Sequence, residues 1–475
     1  MSHSTYKSGE PARRDPGEER GHGIMESLKG KMASTSRPRN ISTRLQRVAE
    51  QSRKAPEMIW TTLSHHIDMD MLTEAYRRTR KDGAVGIDRQ TAREYGQNLE
   101  ENLTSLLYRL KSGTYRAPAV KRVYIPKGDG KERRPIGIPT FEDKVVQRAV
   151  TMVLEAVYEQ DFLDSSYGFR PGRSAHDALD EVYHATSMNG GYVIDLDIKS
   201  FFDTVGHGHV RAFLDKRVRD GVIRKVIDKW LKAGVMEEGR HEINRVGTPQ
   251  GGVISPLLAN IFLHEVGDKW FELEVKPRLK GSASLIRYAD DTLIVFSRKD
   301  DADRVMEVLP KRLGRFALQL HPEKTRLVCF KRPVKSTHSG NSPDTFDFLG
   351  FRHYWGKSMK GNWLVKRKTA TPRFTRALRV VNMWCSRNRH IPVSAQHRII
   401  NLKLRGHYLY YGLRGNMNAL YRFRWEVRRI WRKWLERRSQ KSRMTWDHYL
   451  LILRRYPLLK PSALFTQPKS HAASL

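Results

Sequence analysis

The sequence predicts an α+β chain of several domains, a mixed part with antiparallel strands followed by an all-helical part. Three observations lead there. Short apolar runs bounded by turn residues recur from Val120 to Tyr354, with helical spacing between them. Beyond about Thr369 the strand signals stop, and arginines interleave with aromatics until Tyr456-Pro457. Residues 1–55 are rich in Ser, Gly, Arg, Glu and Pro with almost no apolar periodicity, which predicts a basic disordered tail. The expected divisions are therefore 1–55, a mixed part over 56–360, a helical domain over 361–460, and a terminal tail over 461–475.

Each element has its own signal. Ile59, Leu63 and Ile67, then Met71, Leu72 and Ala75, predict short helices, and Gly83 to Asp88 a loop. Val123-Tyr-Ile125 reads as a strand, Lys127-Gly-Asp-Gly130 as a turn, and a second strand ends at Pro139. Val146, Ala149, Val150, Val153 and Val157 recur at helical spacing, so Glu142 to about Gln160 is an amphipathic helix. A loop with Gly168, Pro171 and Gly172 follows, and Ser174 with Asp177 has the spacing of a capping box. In the strand Tyr192 to Ile198, one face carries Tyr192, Ile194, Leu196 and Ile198, and the other carries Val193, Asp195 and Asp197. Leu285 to Phe296 reads as a hairpin with Asp290 and Asp291 at its tip. Further strands are expected near Leu327 to Phe330 and Phe346 to Tyr354. There are no internal repeats.

Charge narrows the function. Lys and Arg number 87 against 51 Asp and Glu, a formal net charge of +36. Such self-repulsion points to a polyanionic partner, and nucleic acid fits better than lipid because no amphipathic anchor or acylation signal is present. Two cysteines, Cys329 and Cys385, exclude a disulfide framework and a Cys-rich zinc module, and suit a reducing cytoplasm. No run of about 18 apolar residues is long enough to span a membrane, and no apolar signal core opens the chain.

The carboxylates narrow it further. Nucleotidyl transfer needs two divalent ions about 3.5–4 Å apart, held by carboxylates from separate strands. An Asp at one strand end and an Asp pair at a nearby apolar-flanked tip meet that need, since adjacent acids repel unless a cation joins them. Pattern alone leaves Asp195 and Asp197 as alternatives for the first position.

Tyr288-Ala-Asp-Asp291 resembles the signature of reverse transcriptases, and the surrounding blocks resemble bacterial group II intron reverse transcriptase/maturases. In family order these are Val123-Tyr-Ile-Pro-Lys-Gly with Arg133-Arg-Pro-Ile136, Ser166-Tyr-Gly-Phe-Arg-Pro-Gly-Arg-Ser174, Asp197-Ile-Lys-Ser-Phe-Phe-Asp203, Gly247-Thr-Pro-Gln-Gly-Gly252 with Ser255-Pro-Leu-Leu-Ala-Asn260, His321-Pro-Glu-Lys-Thr325 and Phe348-Leu-Gly-Phe351. The resemblance is dense over 57–355 and looser beyond. It implies a right-hand polymerase, with fingers and a palm built on an antiparallel sheet, followed by an all-α thumb/maturase domain. It also implies an RNA-directed DNA polymerase that copies intron RNA and assists its splicing.

The resemblance implies site roles as well. Asp197, Asp290 and Asp291 would be catalytic and hold two Mg²⁺ with the Ile198 carbonyl. Phe202 would be the gate against a ribose 2′-hydroxyl. Lys127 and Arg134 would clamp triphosphate, which suits their chemistry. Gln250 would line the dNTP site, and Lys324 would stand near pyrophosphate. Arg170 and Arg173 would meet the template. In Tyr421 to Trp434, Phe423, Val427, Ile430, Trp431 and Trp434 share one helical face and read as core. Arg422, Arg429, Arg432 and Lys433 largely point away, as an RNA-docking face would. The expected partners are the chain's own intron RNA, target DNA and dNTPs, in a bacterial cytoplasm or nucleoid. With the sequence closing soon after Pro457 and no second Cys cluster, an HNH endonuclease domain is expected to be lacking.

Overall fold

The computed structural model describes residues 37–127, 132–188, 190–237, 240–242, 251–333, 344–438 and 444–464. The N-terminus brings the first correction. Part of the expected tail is a helix, α1 (Arg37–Lys54). Its apolar residues are few, but Ile41, Leu45 and Val48 fall on one face and pack into the core. Trp60 Nε1 donates to Ser52 Oγ at 3.0 Å. Buried Arg217 donates to the carbonyls of Ser52, Ala55 and Met58, from 159 to 165 residues away.

Helices α2 (Met69–Arg78), α3 (Ala92–Gln97) and α4 (Leu99–Lys111) follow. Asp68 caps α2, and Thr91 with Glu94 forms a capping box on α3. Strands β1 (Val120–Lys127) and β2 (Glu132–Ile138) make an antiparallel hairpin. Next come α5 (Phe141–Tyr158), α6 (Ala175–Met188), β3 (Tyr192–Leu196), α7 (Phe201–Thr204), α8 (His207–Asp215) and α9 (Gly221–Lys232). Helix α5 was expected to be amphipathic. Instead Val145, Val146, Gln147, Ala149, Val150, Thr151, Val153 and Leu154 are all buried, because helices close on it from several sides. The Ser174 cap on α6 forms as predicted, with Ser174 N donating to the Asp177 carboxylate and Asp177 N to Ser174 Oγ.

Strands β4 (Val235–Glu237) and β5 (Arg240–Glu242) extend the first sheet in the order β2-β1-β4-β5, with β4 parallel to β1. After α10 (Ser255–Leu263) the chain runs through a widened helical stretch at 264–275, where Lys269 N bonds the His264 carbonyl five residues back. Then come β6 (Ala283–Tyr288), β7 (Asp291–Phe296), α11 (Lys299–Gly314) and β8 (Arg326–Cys329). The second sheet has the order β6-β7-β3-β8, and all its neighbours are antiparallel. Its middle is buried on both faces, since Val193, Ile194, Leu293, Ile294 and Val295 all lie inside. Charged residues gather at one end. A third sheet joins β9 (Phe346–Phe348), β10 (Phe351–Lys357) and β11 (Trp363–Thr369).

The described residues divide into two compact units, one ending at Ala370 and the other beginning at Thr371. The helical unit was expected from residue 361. It starts ten residues later because β11 completes the third sheet by pairing along the whole of β10. That unit consists of α12 (Thr371–Arg387), α13 (Val393–Tyr411), α14 (Met417–Glu436) and α15 (Trp446–Arg455) around a core of its own. In it Gln396 is buried; its Oε1 accepts from Trp431 Nε1, while its Nε2 donates to the carbonyls of Asn388, Arg389 and Ile391. No described helix is long and apolar enough to cross a membrane.

Candidate active site and nucleic-acid interface

The acids collect at the polar end of the second sheet. Leu196 pairs with Thr292. Asp197 follows Leu196 directly and Asp291 directly precedes Thr292, so both lie at this end of the sheet. Tyr288 pairs with Asp291, so Ala289 and Asp290 form the turn, with Ala289 in the left-handed region at φ 57°. Asp195 lies deeper. It faces Leu293 on one side and Arg326 on the other, with an ion pair at 3.4 Å. Burial pushes its pKa up to about 6, against the pull of Arg326. The two aspartates that pattern left open differ in setting: Asp197 follows the last paired residue of β3, and Asp195 is tied to β8.

The His321 to Thr325 segment fixes the end of β3. His321 N donates to the Asp197 carbonyl at 2.8 Å, and Thr325 Oγ1 donates to the same oxygen at 3.2 Å. Lys199 N reaches the Gln319 carbonyl, and Ile198 bridges Leu320. Lys324 Nζ lies 3.3 Å from Asp197 Oδ2. Among the described residues no three His, Cys, Asp or Glu side chains are drawn together as a ready-made metal cage. The donor chemistry nonetheless fits a hard divalent cation, since the acids at this end of the sheet offer carboxylate oxygens.

Phe202 lies half-buried in α7, edge-on to Phe201 at 5.2 Å. Arg134 is half-buried opposite Ile125. Burial raises the Asp203 carboxyl, and the charges of Arg122 and Arg134 pull it back. The side chain of Lys127 and the whole of Gln250 lie outside the described residues. The next residue, Gly251, has φ 112°, and a Cβ there would stand 2.6 Å from the Gly137 carbonyl oxygen, so this turn presses on β2.

Residues 125–353 match the family model "Reverse transcriptase (RNA-dependent DNA polymerase)". The chain is 34% identical to protein YkfC of Escherichia coli (strain K12) over 330 residues, 62% of this chain and 83% of that protein. It is 36% identical to group II intron-encoded protein LtrA of Lactococcus lactis subsp. cremoris over 236 residues, 49% of this chain. The chain belongs to the group II intron-encoded reverse transcriptase family. It spans 39% of the length of LtrA. A nuclear intron maturase 2 of Arabidopsis thaliana mitochondria is 29% identical over 183 residues, 30% of this chain and 25% of that protein.

Within this family chain the expected RNA-facing residues divide. Arg170 does not face outward. It is buried, donating to Glu159 and to the carbonyls of Phe162, Leu163 and Ser166. Its guanidinium closes its own loop, so a template contact from this side chain is replaced by a scaffolding one. Arg173 is half-buried, paired with Asp164 and lying over the Tyr167 ring at 5.4 Å. On α14, Leu420, Phe423, Val427, Trp431 and Leu435 are buried, while Arg422, Arg429 and Lys433 are exposed. Arg432 is held closer in, donating to the Met444 carbonyl at 2.8 Å and stacking on Trp446 at 4.1 Å.

Sequence reasoning missed one group altogether. Arg287 is 2% exposed, the last residue but one of β6. It donates to both oxygens of Asp268 (2.8 and 2.6 Å), to Asn260 Oδ1 (2.9 Å), to Ser166 Oγ (2.7 Å) and to the Ala289 carbonyl (3.0 Å). Burial alone would raise the Asp268 carboxyl, but Arg287 and His264 reverse that and hold it below its ordinary range. A bidentate pair of this kind orients the turn that carries Asp290. The available signal was an arginine set inside an otherwise apolar strand.

Proposed function

We propose that this chain is an RNA-directed DNA polymerase that copies its own group II intron RNA into cDNA, and a maturase that folds that RNA for splicing and reverse splicing. The observation that supports the reading is the antiparallel register of β3 on β7, which ends at Leu196 opposite Thr292, with Asp290 in the turn between β6 and β7. Asp197, Asp290, Asp291 and the Ile198 carbonyl would hold two Mg²⁺, which when bound activate the primer 3′-hydroxyl and neutralise the leaving pyrophosphate. Lys127 and Arg134 orient the triphosphate, with Gln250 lining the nucleotide site. Phe202 excludes the ribose 2′-hydroxyl. Lys324, resting on Asp197, is placed to give a proton to pyrophosphate. Arg173 and the outward face of α14, Arg422, Arg429 and Lys433, with Arg432 at its edge, meet RNA phosphates. The palm, fingers and thumb of a right-hand polymerase describe the arrangement, and a bacterial cytoplasm is its setting.

Primer extension on an RNA template, run beside splicing of the flanking intron, tests both functions. Wild type should extend and splice, whereas Asp290→Ala should splice without extending. Extension by Asp290→Ala at the wild-type rate would end the polymerase assignment.

A further inference from the structure

An aromatic ring stands exposed beside the catalytic hairpin, and its setting is too constrained to be incidental. Phe169 is 55% exposed, with φ 57°. A bulky residue in the left-handed region is a genuine outlier, and such strain persists only where the surroundings enforce it. Both flanks enforce it here. Gly168 lies so close to the hairpin turn that a Cβ on it would stand 2.2 Å from Ala289 N, and its carbonyl accepts from buried Asn260 Nδ2 at 2.7 Å. Arg170 on the other side is buried and bonded into its loop. Tyr167 N also donates to the Arg287 carbonyl at 2.8 Å, which ties the loop to β6. The chain therefore presents one apolar ring to solvent from a rigid clamp, next to the turn that carries Asp290.

We propose that Phe169 is a substrate-contacting residue that supports the terminal base pair of the primer–template duplex. This rests on the polymerase reading above. The end of the duplex must lie within reach of Asp197, Asp290 and Asp291, and Phe169 is one residue from the backbone that touches their hairpin. A polymerase has to hold every terminal pair alike. An apolar ring against sugars and base edges does so, since it offers no donor or acceptor with which to prefer one base. A rigid ring also loses little conformational freedom on contact.

The test uses Phe169→Gly and Phe169→Tyr in the full chain. Glycine removes the ring and tolerates the left-handed φ, so Phe169→Gly should melt at or above the wild-type temperature. It should nevertheless lower kcat/KM for primer–template roughly tenfold and shorten the products made per binding event, as loss of one stacked contact would. The KM for dNTP should stay unchanged. Phe169→Tyr should restore extension. Unchanged kcat/KM for primer–template in Phe169→Gly would overturn the proposal. So would a lower melting temperature, which would make the ring structural, or a defect confined to dNTP affinity. A wild-type protein that extends no primer would instead defeat the polymerase reading itself.

Discussion

The two units use arginine in opposite ways. In the first, Arg287, Arg217 and Arg170 are buried and face carboxylates, Asp268, Asp161 and Glu159. Their charge is neutralised inside the protein, and the result is backbone geometry. In the second, arginines meet carbonyls and rings. Arg424 donates to the Leu458 carbonyl, Arg432 to that of Met444 and Arg438 to that of Arg389, while Arg429 lies over Trp425 at 4.7 Å and 3.6 Å from Glu426. Carbonyls and rings orient a guanidinium without cancelling its charge. On the proposed function, the first unit places a few acids and the second keeps a positive face for a polyanion.

That contrast breaks most visibly at the acids. Alanine at Asp197, Asp290 or Asp291 should cut primer extension on the order of 10³-fold or more, while leaving RNA affinity intact in a filter-binding assay. Equal loss of RNA binding would mean that the units do not divide the work. Next in size is the buried pair. Arg287→Met leaves Asp268 uncompensated and should cost about 3–5 kcal/mol in denaturant unfolding of the full chain; a change near zero would show the network to be dispensable.

A smaller effect concerns Asp143, which is buried against Tyr115, Trp230 and Gln147. Desolvation raises its pKa to about 6, although its hydrogen bonds oppose the shift. The folded state then binds this proton more tightly than the unfolded state does. Its contribution to stability should be full below about pH 4 and fall as pH rises to about 6. Melting curves across that window should fall less in Asp143→Asn than in wild type, the remainder coming from Asp195. The smallest effect sharpens the account of the second unit. Arg429→Ala should lower the magnitude of the log Kd against log salt slope for RNA by about 0.7–0.9; an unchanged slope removes Arg429 from the interface.

Local pattern carried the sequence reading well where one segment sets its own fate. The hairpin around Asp290 and Asp291 was visible because apolar runs flank it, and the α6 cap because Ser174 and Asp177 lie three residues apart. Where partners are distant, sequence was silent. Helix α1 hides its face behind polar neighbours and gains Arg217 from the far side of the fold. Arg170 looks like any loop arginine until its carbonyl partners close around it. The role of Arg287 depends on Ser166, Asn260 and Asp268, up to 121 residues away. The short strand β4 gives no local sign that it lies parallel to β1.

Iron-directed cleavage measures the central geometry most directly. Fe²⁺ substituted for Mg²⁺, with hydrogen peroxide as oxidant and ascorbate to recycle the iron, generates hydroxyl radicals that cut backbone near the ion. Wild type should be cut at two places, around Asp197 and around Asp290-Asp291, and Asp197→Asn should lose both. Cuts confined to one of these segments, or lying elsewhere in the chain, would contradict a shared metal site at the end of this sheet.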